Sequence, residues 1–243
     1  MAGEEAEGAH VAPEGRRRPA LVSLNKAMSR QPRPAVPSET AIRALLDRYA
    51  CPVPWHEVRT RFLGNLATPA LSVSPMRVVQ DLWGGELPVF DTMDEVNELI
   101  GALVNGLWNS LTKNQKRSEP FRLVRLIAEP TAESLATLAR TRRQELDGFI
   151  EGLFNGEGQM DLPERAHVAV GRLSEMRAIM AGIEQFVAGD LKSETGTELE
   201  ATFKHLRELT RIMELEIHEA VLSCARARKQ MLESFPVQKP TVH

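Results

Sequence analysis

The chain has 243 residues, 42% of them hydrophobic, and a formal net charge of −3. That is enough apolar material for a substantial core without staples, and the charge gives no global attraction for nucleic acid. Only two cysteines are present, Cys51 and Cys224, far apart and without a CxxC pairing, which excludes a disulfide scaffold and a zinc module and points to a reducing compartment.

Residues 1–37 are rich in Pro, Gly, Ala and charge, with "RRR" at Arg16 to Arg18 and four prolines from Pro19 to Pro37. So little apolar surface cannot offset the entropy of ordering, and the segment reads as a disordered tail. Its start is acidic before it is basic and has no apolar leader-like core. No later run reaches the roughly 18–20 apolar residues of a membrane span. The expected location is cytoplasmic, with no membrane partner.

Helical structure is predicted from "PSETAIRALLDRYA", where Ser38 caps and Ile42, Leu45, Leu46 and Tyr49 recur at helical spacing. A second helix restarts after Pro54, and Pro75 opens a short third that ends at Gly84 and Gly85, which supply positive φ. The next begins at Asp91 or Thr92 and places Met93, Val96, Leu99, Ile100, Leu103, Leu107, Trp108 and Leu111 on one face. Gly101 and Gly106 within it each cost about 1 kcal/mol relative to alanine, which implies close approach by another helix.

Over 112–160 the expectation is a connecting helical region. Its apolar run "FRLVRLI" suits a helix or an extended link, and periodicity leaves helix against strand open over 121–128. From Thr131 a helix carries Leu135, Leu138, Leu146, Phe149, Ile150 and Leu153 inward.

Residues 161–243 read as two helices joined by a short break at "AGDLKSETG". The first carries Leu173, Met176, Met180, Ile183 and Val187. The second runs from Leu199 through Phe203, Leu206, Thr210, Met213, Ile217, Ala220, Cys224 and Ala227 to Met231 in a 4,3 alternation, a coiled-coil seam that predicts an antiparallel hairpin. Small residues at Ala220, Cys224 and Ala227 imply a tight approach by another element. The fold class is therefore all-α: a helical subdomain over 38–111, the connecting region, and a C-terminal helical hairpin.

The segment Phe62 to Leu111, with "LWGGELPVF" at its centre, resembles the YecA/YgfB-like family of bacterial helical proteins. Phe62, Leu63, Pro75, Trp83, Gly84, Gly85, Glu86 and Phe90 occupy the matching places. The acidic-glycine pair before "FL" is replaced here by Thr60 and Arg61, while "ELDGFIEGL" at Glu145 to Leu153 looks like that signature displaced downstream. Longer members end in a cysteine-rich zinc motif, which this chain lacks. The resemblance implies an all-helical, non-enzymatic protein that binds other proteins.

No catalytic, cofactor or metal constellation is legible. Neither cysteine has a nucleophile's signature, no serine sits in G-x-S-x-G, and no glycine pair fits a P-loop. His205, Glu208, Glu214, His218 and Glu219 share one helix but flank an apolar seam, and one ExxH, Glu164 to His167, falls short of a di-metal bundle. A metal-dependent helical enzyme is the remotest alternative. Trp83 and Trp108 read as core anchors, and Trp55 as the tryptophan with an exposed face.

The candidate interaction surface is Trp55 with the basic residues Lys113, Lys116, Arg117, Arg122, Arg125, Arg140, Arg142 and Arg143, set against Glu119, Glu129 and Glu133. The expected partner is a protein, with a homodimer through the hairpin as a further expectation. Nucleic acid held by the basic segment and the "RRR" tail is the alternative.

Overall fold

Three hydroxyl side chains start three of the helices where the sequence places them. Ser38 accepts from the Ala41 N–H at 3.2 Å ahead of α1 (Glu39–Arg48). Thr92 accepts from Glu95 at 3.3 Å ahead of α4 (Met93–Ile100), while the Glu95 carboxylate accepts from the Asp91 N–H at 2.9 Å. Thr131 accepts from Ser134 at 3.2 Å ahead of α6 (Ala132–Phe154). Each satisfies an orphan N–H of a first turn. At the other end of α6, Asn155 adopts a left-handed φ of 50° and closes the helix.

The computed structural model describes residues 37–71, 73–127, 129–190 and 196–234. Apart from Pro37, the predicted disordered tail lies outside them, as does most of the predicted hairpin break. All regular structure among the described residues is helical. α2 (Trp55–Ala67) and α3 (Pro75–Asp81) precede α4; α7 (Glu164–Asp190) and α8 (Gly196–Ser234) complete the order.

α2 is the centre of the core. Every residue from Phe62 to Thr68 is buried, so the helix has no solvated face over its second half. α6 crosses it most closely, and glycines on both helices permit this. A Cβ at Gly64 would lie 2.7 Å from the backbone N of Leu153, and one at Gly148 would lie 2.6 Å from the Glu57 carbonyl. Backbone meets backbone there, as in other small-residue helix crossings.

α4 continues as a π-helical turn, Gly101–Trp108, before a last α-helical turn, α5 (Asn109–Leu111), and a 3₁₀ turn, Thr112–Gln115. Leu99, Leu103, Leu107 and Leu111 are buried along this run, whereas Met93, expected on the same face, is 70% exposed. Gly106 meets the expected close approach: a Cβ there would come within 2.6 Å of Pro37 and 3.7 Å of Ile42 of α1. Gly101 does not, since nothing lies within 4 Å of its Cβ position.

The "LWGGELPVF" turn has the predicted positive φ at Gly84 (77°) and Gly85 (102°). Its Trp83 indole donates to the Tyr49 carbonyl at 2.9 Å, and Phe90 packs edge-on to Tyr49 with ring centroids 5.0 Å apart. Trp108 donates to Asn65 at 3.1 Å. Both indoles are half-buried against the core.

α7 and α8 pack together in antiparallel sense, as the ion pairs Arg165–Glu219 (3.6 Å) and Arg172–Glu216 (2.7 Å) show. Leu199, Phe203, Leu206, Met213, Ile217, Ala220 and Cys224 are buried along the predicted seam of α8, while Met231 at its end is 38% exposed. α8 also reaches the centre of the fold. Arg228 donates to the carbonyls of Leu66 and Thr68, both at 3.0 Å, and caps the C-terminus of α2. Of the small residues of α8, Ala227 adjoins this contact and Cys224 and Ala220 precede it by one and two turns.

Candidate functional site

Of the helix or extended link expected for "FRLVRLI", the structure has the extended link, between the 3₁₀ turn and α6. Pro120 biases the preceding residue against helix and contributes no N–H of its own. Phe121 and Leu123 then point inward while Arg122 between them faces solvent, the alternation of an extended chain, and Arg125 beyond them is exposed as well. An extended segment without a strand partner must find other partners for its inner backbone groups.

Side chains from three helices provide them. The Leu123 N–H donates to Glu214 of α8 at 3.0 Å, and the Val124 N–H donates to Glu145 of α6 at 2.7 Å. Arg142 of α6 returns a bond to the Val124 carbonyl at 2.6 Å and a second to the Thr210 hydroxyl of α8 at 3.1 Å. Arg59 of α2 donates to the Arg122 carbonyl at 3.3 Å.

The node of this arrangement is buried. Arg142 is 4% exposed and Glu145 fully enclosed, and the two are ion-paired through Nη1 and Oε2. Burial pushes the Glu145 carboxyl above the usual range, opposed by the Arg142 charge and the Val124 N–H. This buried carboxylate and guanidinium satisfy each other and the backbone of the link, and so hold its path.

A groove of about 680 Å³ is lined by the link, α6 and α8. Arg122, Arg125, Arg207 and Arg211 border it, with Phe203 and Leu126 in its lining. Glu214 pairs with Arg122 at 2.5 Å, and Glu208 pairs with Arg211 at 3.0 Å. Ile127, at the end of the link, is 97% exposed.

The predicted basic segment is thus divided. Arg142 lines the groove but is almost wholly enclosed, its donors taken by Glu145, Val124 and Thr210. Arg143 pairs with Asp147 at 3.0 Å and Glu184 at 3.2 Å, tying α6 to α7. Arg122 and Arg125 line the groove, where α8 adds Arg207 and Arg211, which sequence reading did not place with them. Arg117 instead neighbours Arg226 and Lys229 near the end of α8. Lys113, Lys116 and Arg140 are exposed.

Trp55 lies apart from that groove and is half-buried. Its indole donates to Glu39 at 2.8 Å, and Arg43 stands 5.5 Å from its ring. Among the described residues, no group of three or more His, Cys, Asp or Glu could hold a metal. Glu214 is engaged by the link, and both ring nitrogens of His218 are buried without a partner. No helix among the described residues is long and apolar enough to cross a membrane. Comparison of the chain with protein-family models, curated proteins and solved structures finds no match.

Proposed function

We propose that the protein is a non-enzymatic binder of other proteins, and that an acidic, partly apolar segment of its partner docks in the groove beside the link. The observation that carries this reading is Ile127, 97% exposed, at the lip of a groove bordered by four arginines. Arginine and exposed apolar side chains are what protein interfaces enrich, and the guanidinium fork matches carboxylates bidentately. The resemblance of Phe62 to Leu111 to the YecA/YgfB-like family supports the same reading, which places the work in the cytoplasm and treats α7 and α8 as a coiled-coil-like hairpin.

The test is recovery of bound companions from native cells, with and without nuclease, using the wild type and the Arg125→Glu/Arg207→Glu/Ile127→Ser variant. A defined acidic protein retained under nuclease and lost by the variant supports the reading. Companions that vanish with nuclease, with binding that falls steeply between about 50 and 200 mM salt, replace it with nucleic-acid association.

A second copy of the chain is a further candidate partner. Val168, Ile179 and Phe186, each 46–55% exposed, recur along α7 at steps of eleven and seven residues and so share one face. Light scattering of the wild type against Ile179→Glu/Phe186→Glu measures this: a dimer that becomes a monomer supports it, and a wild-type monomer removes it.

A further inference from the structure

A second cavity, of about 430 Å³, lies at the start of the link, between α1, the start of α2 and the end of the π-helical turn. Arg59 and Asn114 line it from opposite elements. Arg59 is half-buried yet has no ion pair among the described residues. It donates one hydrogen bond, to the Arg122 carbonyl, and its guanidinium lies 4.9 Å from the Phe121 ring. Burial holds its pKa below the usual arginine range, opposed by the charges of Glu39 and Glu145, neither of which is in ion-pair contact with it. A half-buried guanidinium with most of its five donors unused has capacity for an anion.

Asn114 presents the complementary shortage. It is 5% exposed, its amide N–H donates to the Glu119 carbonyl at 2.9 Å, and its Oδ1 is buried without a partner. An unpaired buried carbonyl costs about 1–3 kcal/mol unless something donates to it. The charges around the cavity are largely spoken for: Glu39 by Arg43 and Trp55, and Arg122 by Glu214. That leaves Arg59 and exposed Lys113 against Glu119, a net positive lining. Leu107 supplies an apolar wall from the π-helical turn, a winding found often at functional sites.

We propose that this cavity binds a small organic carboxylate that also carries a hydroxyl or amino donor. The carboxylate sits on the guanidinium of Arg59, a turn of the Asn114 side chain brings its enclosed Oδ1 to the donor, and the apolar body lies against Leu107 and Trp55. The volume falls in the range of metabolite-sized pockets.

Phenyllactate is the probe, since it joins a carboxylate, a hydroxyl and an apolar ring; its methyl ester and inorganic phosphate are the controls. Binding is read by calorimetry and by the indole N–H resonances of ¹⁵N-labelled full-length protein. Saturable binding of phenyllactate that moves the Trp55 resonance and leaves Trp83 in place is expected, with the ester at least about tenfold weaker. Arg59→Met abolishes that binding, and Lys113→Met, a surface change that keeps the fold, weakens it by about twofold to fivefold at low salt. Equal binding of acid and ester, or no response to phenyllactate up to about 10 mM, overturns the proposal. So does tighter binding of phosphate, or of a peptide through its terminal carboxylate, either of which assigns the cavity to a different ligand. If Arg59→Met fails to fold, the acid-to-ester ratio and Lys113→Met still decide.

Discussion

Arg142 of α6 donates to the backbone carbonyl of Val124 at 2.6 Å, so a buried cation from one helix fixes the path of a segment that belongs to none. The same guanidinium holds Glu145 and Thr210, which makes it the common joint of α6, α8 and the link.

Arg142→Met should therefore cost about 3–5 kcal/mol, because it strips the donors and leaves Glu145 enclosed. Glu145→Gln should cost less, since an amide oxygen still accepts from Val124. Arg142→Met/Glu145→Leu should recover part of the loss by removing both charges. Urea denaturation measures all three, and a double variant weaker than Arg142→Met would contradict the assignment.

A pH dependence follows from Glu57, which pairs with Arg61 at 2.9 Å while Arg61 also serves Glu151. Burial holds the Glu57 carboxyl above the usual range; Arg61 pulls it down, and Glu151 and Asp147 push it up. The folded state thus binds this proton more tightly than the unfolded chain. Its contribution is full below the unfolded carboxylate pKa and is lost as pH rises through the raised folded value. Stability of the wild type relative to Glu57→Gln should fall as pH rises through that window; a flat difference between the two would refute it.

At the helix crossing, Gly152→Ala drives a Cβ into the Arg61 backbone, whose carbonyl carbon lies 2.8 Å from that position. A loss of about 1–3 kcal/mol or more is expected, as overpacking against backbone cannot relax by rotamer change. Gly182→Ala on α7, where nothing lies within 4 Å, should instead gain about 0.5–1 kcal/mol. Thermal melts of the pair in parallel give opposite signs if the crossing is as described.

Thiol chemistry separates the cysteines. Cys224 is fully enclosed, and burial pushes its pKa up to about 12, so it is neither ionised nor reachable at neutral pH. Cys51 is half-buried, and burial raises its pKa while the Val53 backbone and Arg61 lower it. A colorimetric disulfide reagent at pH 8 should titrate one thiol slowly in the native protein and the second only on unfolding. Rapid labelling of both would show that α8 opens readily from the core.

Much of this architecture was legible because its signals are local. Ser38, Thr92 and Thr131 cap where hydroxyls precede apolar periodicity, Gly84 and Gly85 turn where two glycines interrupt it, and the α8 seam follows its spacing. What escaped reading depends on partners distant in sequence. "FRLVRLI" suits a helix or an extended link alike, and the choice of the extended path is set by Glu145, Arg142 and Glu214, from 18 to 92 residues away. Gly148 and Gly152 suggested a family signature rather than the face on which α2 rests. The π-helical turn did leave a trace: Leu99, Leu103, Leu107 and Leu111 repeat at four, a spacing that drifts round an α-helix of 3.6 residues per turn. The groove's arginines were half seen, since Arg207 and Arg211 join Arg122 and Arg125 only once α8 lies beside the link.

The clasp of Arg228 on Leu66 and Thr68 joins residues 162 and 160 positions apart. During synthesis the C-terminus of α2 emerges long before the side chain that caps it, and domains complete their cores only when all contributing segments have left the ribosome. The nascent chain must therefore hold a half-covered central helix through most of its translation. A stop codon ahead of residue 228 would leave that helix end open for good, exposing to chaperones and proteases the surface that the full-length protein hides last.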